Sequence, residues 1–326
     1  MCVMNTIIGN DSAIAAQLLT AGNIVAIPTE TVYGLAANAL LPMAVAQIFV
    51  VKNRPQFNPI IIHCASWKLA QKYMINVPEI VHQLAAAFSP GPITFLVNKA
   101  TIIPDIVTAG STKVAVRIPN NSLLLQLLHQ IDFPLAAPSA NPSGYVSPTS
   151  AQHVFENLQG KIPYILNGGK CTVGLESTIV GTDENNKIIL YRHGGITKLQ
   201  IENVVGYRIE DATIAIKEKP ATPGQLLVHY ATKVPLYVGD IEQLIQLNIG
   251  KKIGIISFTK KYQHKNIVSL YVLSASGLLQ EAATNLFAAM RSLDEKDVDI
   301  ILAESFPNEG IGLAINDRLK RASNAI

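Results

Sequence analysis

The sequence predicts an α/β protein of two domains, and three observations carry that reading. Apolar strand runs alternate with segments of helical periodicity along the whole chain. Of the 326 residues 49% are hydrophobic and 15% charged, which supplies an aliphatic core and argues against disorder. From about Glu210 to Pro235 the texture changes to prolines and lysines without periodicity, a linker between two such alternations.

In order, Ser12 to Ala21 places Ile14, Ala15, Leu18 and Leu19 on one helical face, stopped by Gly22 and Asn23. Ile24 to Asn38, IVAIPTETVYGLAAN, is an apolar strand that runs into Pro28 and then presents Thr29, Glu30, Thr31 and Tyr33 before Gly34. Such crowding is either a polar turn or the ligand edge of an open sheet. Met43 to Lys52 reads as a helix that Pro55 and Pro59 prevent from continuing, so Lys52, Arg54 and Asn58 lie on a loop. Pro59 to His63 is a buried strand ending on a histidine, and Glu79 to Phe88 is a helix ahead of the turn Ser89 to Pro92.

Strands follow at Ile93 to Val97 and Val114 to Ile118, with Arg117 inside the second. An unpaired buried guanidinium is costly, so Arg117 either meets an internal carboxylate or faces a ligand, and the ligand reading is preferred. Ser122 to Ile131 is an apolar helix, and Phe133 to Ala137 a short strand opening into PSANPSGYVSPTS. That loop precedes a helix from near Ala151 capped by Thr149 or Ser150, where N–H groups and hydroxyls can converge on an anion. Tyr164 to Leu166 leads into NGGKCTVGLESTIVG, which has neither the P-loop nor the Rossmann glycine pattern, and Lys187 to Arg192 closes the first unit. Beyond the linker, strands at Leu236 to Val238, Lys252 to Ser257, Ile267 to Leu273 and Val298 to Ala303, with a helix from Leu278 to Leu293, predict a small Rossmann-like domain. The tail LAINDRLKRASNAI is helical, and its basic residues read as a solvated face.

A net charge of +3 is not the footprint of a protein whose main task is gripping nucleic acid. Cys2, Cys64 and Cys171 have no C-x-x-C spacing, which argues for a reducing compartment and against a zinc site. No leader-like start and no long uncharged apolar run occur, so a cytoplasmic protein without a membrane span is expected. There is no H-E-x-x-H and no G-x-S-x-G. Strand ends and loops instead carry cations and hydroxyls: Thr31, Lys52, Arg54, Asn58, His63, Arg117, Ser139, Ser147, Ser177 and Arg192. Singly, each has a plain structural reading as a helix-end charge, strand-end histidine or turn hydroxyl. Together they suit an anionic ligand, and phosphoryl or nucleotidyl transfer needs little beyond positioning and charge neutralisation.

PTETVYGLAANAL, KNRPQFNPIIIH, PGPITFLV, VAVRIP, APSANPSG and LESTIV resemble, in order and spacing, the YrdC-type L-threonylcarbamoyladenylate synthases. ATPGQLLVHYA, followed by an α/β unit, resembles the long two-domain form of that family. The resemblance implies an open twisted mixed sheet in a YrdC-like catalytic domain at 1–209, a linker or lid at 210–235 and a Rossmann-like domain at 236–326. It implies nucleotidyl transfer: the amine of L-threonine adds to bicarbonate-derived CO₂, and the carbamate oxygen attacks the α-phosphorus of ATP, releasing pyrophosphate. The threonylcarbamoyl-AMP formed passes to a tRNA threonylcarbamoyl transferase as the first step of tRNA threonylcarbamoyladenosine modification.

By motif, Thr31, His63, Arg117 and Ser177 resemble the L-threonine side. Lys52 and Arg54 are the expected catalytic cations. Arg54, Asn58, Lys113, Ala137, Ser139, Ser147 and Arg192 resemble the ATP side, with Tyr230 similar to a tyrosine that folds over the nucleotide. Mg²⁺ is expected to accompany ATP through phosphate oxygens and water, without a dedicated protein cage. Glu30 has no assigned role beyond hydrogen bonding or contact with a metal-bound water. Thr232 in HYAT departs from the family's usual proline, relaxing the backbone there. Two rivals are an RNA-binding module, which would make the expected weak tRNA contact the main activity, and a carbamoyltransferase of protein maturation. Aromatic and basic interleaving is missing for the first, and zinc-finger cysteines for the second.

Overall fold

Residues 5–55, 57–212 and 230–323 are described by the computed structural model. Strand β1 (Ile7–Gly9) leads into α1 (Ser12–Thr20), which begins where the Asp11 carboxylate accepts the Ala13 N–H. Antiparallel strands β2 (Val25–Ile27) and β3 (Gly34–Asn38) follow, then α2 (Pro42–Lys52), which opens on a proline suited to a first helical turn. Next come β4 (Ile61–His63), α3 (Trp67–Ala70), α4 (Glu79–Phe88), β5 (Ile93–Asn98), α5 (Asp105–Thr108) and β6 (Lys113–Arg117). After α6 (Ser122–His129) and β7 (Leu135–Ala136), α7 (Ala151–Leu158) starts at Ser150, whose hydroxyl accepts the His153 N–H. Strands β8 (Tyr164–Leu166), β9 (Thr178–Thr182) and β10 (Ile188–Arg192), helix α8 (Lys198–Val205) and the two-residue β11 (Glu210–Asp211) complete the first unit. Two strands are shorter than their apolar runs because Pro59 and Pro134 have no N–H for the ladder.

These strands form one mixed sheet in the order β1-β8-β2-β3-β7-β4-β6-β5-β9-β10-β11. Alternation along each strand divides the core. Ala26, Leu35, Ile62, Val116 and Val180 point to the face covered by α2, α4, α5 and α7. Val25, Ile27, Ala36 and Leu135 point to the other face, where α1 and α6 pack. Those two helices lie over the β2, β3, β7 and β8 side, while Ile61, Ala115 and Ile179 further along this face form only a small apolar cluster. The hollow beside that cluster is where polar residues gather.

The second unit has β12 (Leu236–Val238), α9 (Ile241–Leu247), β13 (Ile253–Ser257), β14 (Ile267–Val272), α10 (Leu279–Asp294), β15 (Ile300–Ala303) and α11 (Gly312–Ser323). Its four strands are all parallel, in the order β12-β15-β13-β14. Most of the expected linker, 213–229, lies outside the described residues, as does His229 of the HYAT motif; Thr232 is described, its hydroxyl donating to the Val234 carbonyl at 2.6 Å. The two units share a core in which Val32, Val146 and Leu175 of the first pack with Leu286, Phe287 and Ile315 of the second. Among the described residues no helix is long and apolar enough to cross a membrane.

Candidate active site

Strands β4 and β6 are parallel, and their register sets His63 directly beside Arg117, both on the thinly covered face. Two residues of sequence alternation are enough to explain this, since Ile61 and Ala115 precede them on the same face. A cleft enclosing about 590 Å³ of space, its open mouth included, lies here. Thr31, Arg54, His63, Arg117, Ala137, Ser139, Ser177, Arg192 and Tyr230 all line it.

Thr31 is aimed by its own turn: its hydroxyl meets the Thr29 hydroxyl at 2.8 Å and accepts Arg117 Nη1 at 2.9 Å. Arg117 has the internal carboxylate that the sequence left as the less favoured option, and it lines the cleft as well. Nη2 lies 2.8 Å from Glu30 Oε1, an ion-pair distance outside hydrogen-bond geometry, so charge rather than an aligned bond joins the two. Glu30, given no firm role by sequence, is therefore the buried counter-ion of Arg117. Burial first, and the Arg117 charge second, push His63 down to about 3, so its ring is neutral at physiological pH. Its Nδ1 has no partner among the described residues. Ser177 shares a 2.7 Å hydrogen bond with Thr94 and accepts Arg192 Nη2 at 3.1 Å, while Arg192 Nε donates to the Ser177 carbonyl at 3.0 Å. Burial lowers Arg192 and Arg54 to about 10, which leaves both cationic near neutrality.

The other expected residues divide. Arg54 faces the cleft, held by donation from Nη2 to the Pro59 carbonyl at 2.8 Å and from Nε to the Asn58 carbonyl at 3.3 Å. Asn58, Lys52 and Ser147 are buried behind the lining. Lys52 Nζ donates to the Ser139 carbonyl at 2.5 Å and to the Asn141 carbonyl, bracing the loop after β7. Burial and then the Arg54 charge lower its pKa. Lys113 is not brought to the cleft. It starts the strand that Arg117 ends, about 13 Å away at the usual strand rise, and lines a separate polar hollow with Asn98, Asp183 and Tyr191. Tyr230 is fully buried and stacks on Phe287 with ring centroids 5.3 Å apart.

Sequence reasoning passed over three further residues. Glu176 lines the cleft and accepts the Ser147 hydroxyl at 2.7 Å. Arg318, assigned to a solvated face, is fully buried and donates Nε to Glu176 Oε2 at 3.2 Å. Its position was readable: Ala314, Ile315, Leu319 and Ala322 are the buried stripe of α11, and 318 falls on it at helical spacing. Arg291, buried on α10, donates to the carbonyls of Val146 at 2.6 Å and Ser147 at 3.3 Å, fixing the same loop from the second unit.

The family model Sua5_yciO_yrdC, described as "Telomere recombination", matches residues 17–194, and "Threonylcarbamoyl-AMP synthase, C-terminal domain" matches residues 196–324. The threonylcarbamoyl-AMP synthase of Pyrococcus abyssi is 41% identical over 323 residues, 95% of this chain and 93% of the relative. That of Bacillus subtilis is 39% identical over 325 residues, 96% and 94% of the two chains. The crystal structure of P. abyssi Sua5 complexed with L-threonine matches with a TM-score of 0.90 at 38% identity, covering 99% of this chain and 98% of the other.

Proposed function

The chain belongs to the threonylcarbamoyl-AMP synthase family and makes threonylcarbamoyl-AMP and pyrophosphate from L-threonine, bicarbonate and ATP; from that premise we infer how the cleft divides the work. One observation carries the inference. His63, Arg117, Thr31 and Ser177 line one cleft, and Arg54 and Arg192 bring further cations to the same space.

Arg117 receives the carboxylate of L-threonine, since a guanidinium offers paired donors to a carboxylate. Neutral His63, with Thr31 and Ser177, orients the rest of the amino acid. Bicarbonate takes up a proton and loses water to give CO₂, the amine adds to it and loses a proton, the carbamate oxygen then attacks the α-phosphorus, and pyrophosphate leaves. Arg54 and Arg192 neutralise charge that develops on the phosphates. Ala137, Ser139 and Tyr230 border the nucleotide, with Lys52, Asn58 and Ser147 holding the loops from behind. We assign Lys113 no contact with ATP.

Among the described residues no group of three or more His, Cys, Asp or Glu side chains is placed to hold a metal ion. This donor set fits Mg²⁺ only as a companion of ATP, bound through phosphate oxygens and water, where it would neutralise phosphate charge. The product is an activated mixed anhydride, and our reading hands it to a tRNA threonylcarbamoyl transferase in the cytoplasm, with weak direct tRNA contact. Pyrophosphate release, measured with L-threonine, bicarbonate and ATP omitted in turn, tests the reaction. Release that ignores L-threonine would overturn it.

A further inference from the structure

We propose that Arg318 of the second unit is a positioning residue for the cleft of the first, neutralising the Glu176 carboxylate so that the site accepts the polyphosphate of ATP. The proposal rests on the functional reading above. It addresses a conflict in the geometry: Glu176 is a buried carboxylate lining a cleft meant for an anion.

Both oxygens of Glu176 are engaged, Oε1 by the Ser147 hydroxyl at 2.7 Å and Oε2 by Arg318 Nε at 3.2 Å. Arg318 is anchored in turn by donation from Nη1 to the His193 carbonyl at 2.7 Å, and Asp317 lies 3.2 Å away. Its guanidinium also sits 5.8 Å from the centroid of the Tyr230 ring, the aromatic wall of the cleft. Burial alone would weaken its hold on the proton, but Tyr230, Glu176 and Asp317 outweigh burial and raise its pKa, so the cation is permanent. One side chain from α11 thus offsets the one acidic member of the cleft lining among the described residues, and sits beside the Tyr230 ring as well. Without it, the Glu176 carboxylate would keep the Ser147 hydroxyl and the Arg192 charge nearby but lose its ion pair with Arg318, leaving more negative charge beside the phosphates in a medium of low dielectric, where like charges repel strongly.

The charge account predicts a selective effect. Arg318→Met should raise the KM for ATP about tenfold, with the KM for L-threonine within about twofold of the parent. Adding Glu176→Gln to Arg318→Met should recover most of the lost ATP affinity, because the offending charge goes with its partner. Glu176→Gln alone, which leaves an extra cation, should bind ATP severalfold more tightly in equilibrium dialysis. Arg318→Lys should stay within about threefold of the parent. Equal rises in both KM values, no recovery in the double variant, or weaker ATP binding by Glu176→Gln would each overturn the proposal. If Arg318→Met does not fold, Glu176→Gln and Arg318→Lys decide alone. L-threonine-dependent pyrophosphate release by the unsubstituted chain is run in parallel. Its absence would refute the functional reading, while ATP binding would still judge the charge pair.

Discussion

Arg117 and Glu30 form an ion pair in which both side chains are about 95% hidden from solvent, with 2.8 Å between Nη2 and Oε1. The pair sits at the wall assigned to L-threonine, so Glu30 holds the guanidinium until a substrate carboxylate can share it. Glu30→Ala should cost about 3–5 kcal/mol in urea denaturation, as expected when one member of a buried pair is lost. Saturating L-threonine should raise the melting temperature of this variant more than that of the parent, since its carboxylate restores a partner for Arg117. Equal shifts would detach Arg117 from substrate binding.

His63 makes stability depend on pH in a defined direction. Its pKa falls from an ordinary 6.5 to about 3 in the folded chain, so between those values the unfolded state binds the extra proton. Above about pH 6.5 it imposes no penalty, and stability drops as pH falls through the window. The slope is about 1.4 kcal/mol per pH unit, so roughly 2–3 kcal/mol should be lost by pH 4.5. His63→Gln should lose that much less over the same range in urea denaturation. Parallel losses would mean that His63 is not buried neutral.

The first of these side chains was legible in the sequence because it depends on alternation. PIIIH and VAVRI each place their last polar residue on the face of the residue two before it, and parallel pairing sets His63 against Arg117. The partners of such residues were harder to read. Glu30 and Arg117 lie on different strands' exits, and Arg318 meets Glu176 across a separation of 142 residues. Sequence shows a charge and its periodic position, but which opposite charge meets it is decided by how segments distant in sequence come together in the fold. Lys113 shares a face with Arg117, but the strand's length sets it about 13 Å from Arg117, where it lines a separate hollow.

The docking itself can be tested at Gly174. This residue has φ +75°, and a Cβ there would stand 2.4 Å from the Thr284 Cα and 2.6 Å from its carbonyl oxygen on α10. Neither backbone group can yield without moving the helix, and the left-handed conformation adds strain for any other residue. Gly174→Ala should therefore loosen α10 from the loop that leads to Glu176, costing about 2 kcal/mol or more in stability. Limited proteolysis should then cut near this interface, and ATP affinity should fall with it. An unchanged digest would show that the close approach is not needed to seat the second unit.

Arg54 and Lys52 were paired as catalytic cations, but only Arg54 lines the cleft. Arg54→Ala should lower pyrophosphate release by about 10²-fold, the scale for losing one preorganised donor at developing charge. Its stability cost should stay near 1–2 kcal/mol, because the Asn58 and Pro59 carbonyls lose one donor each. Lys52→Met should behave the other way. It strips the donor from two carbonyls of the loop that follows β7, at a cost of roughly 2–5 kcal/mol, partly offset because burial already disfavours the charged amine. At temperatures where this variant remains folded, turnover at saturating ATP should stay within about tenfold of the parent, and the KM for ATP should carry the larger change. A 10²-fold loss of turnover in fully folded Lys52→Met would place Lys52 back among the residues that touch the phosphates, and would mean that its bracing contacts give way when ATP binds.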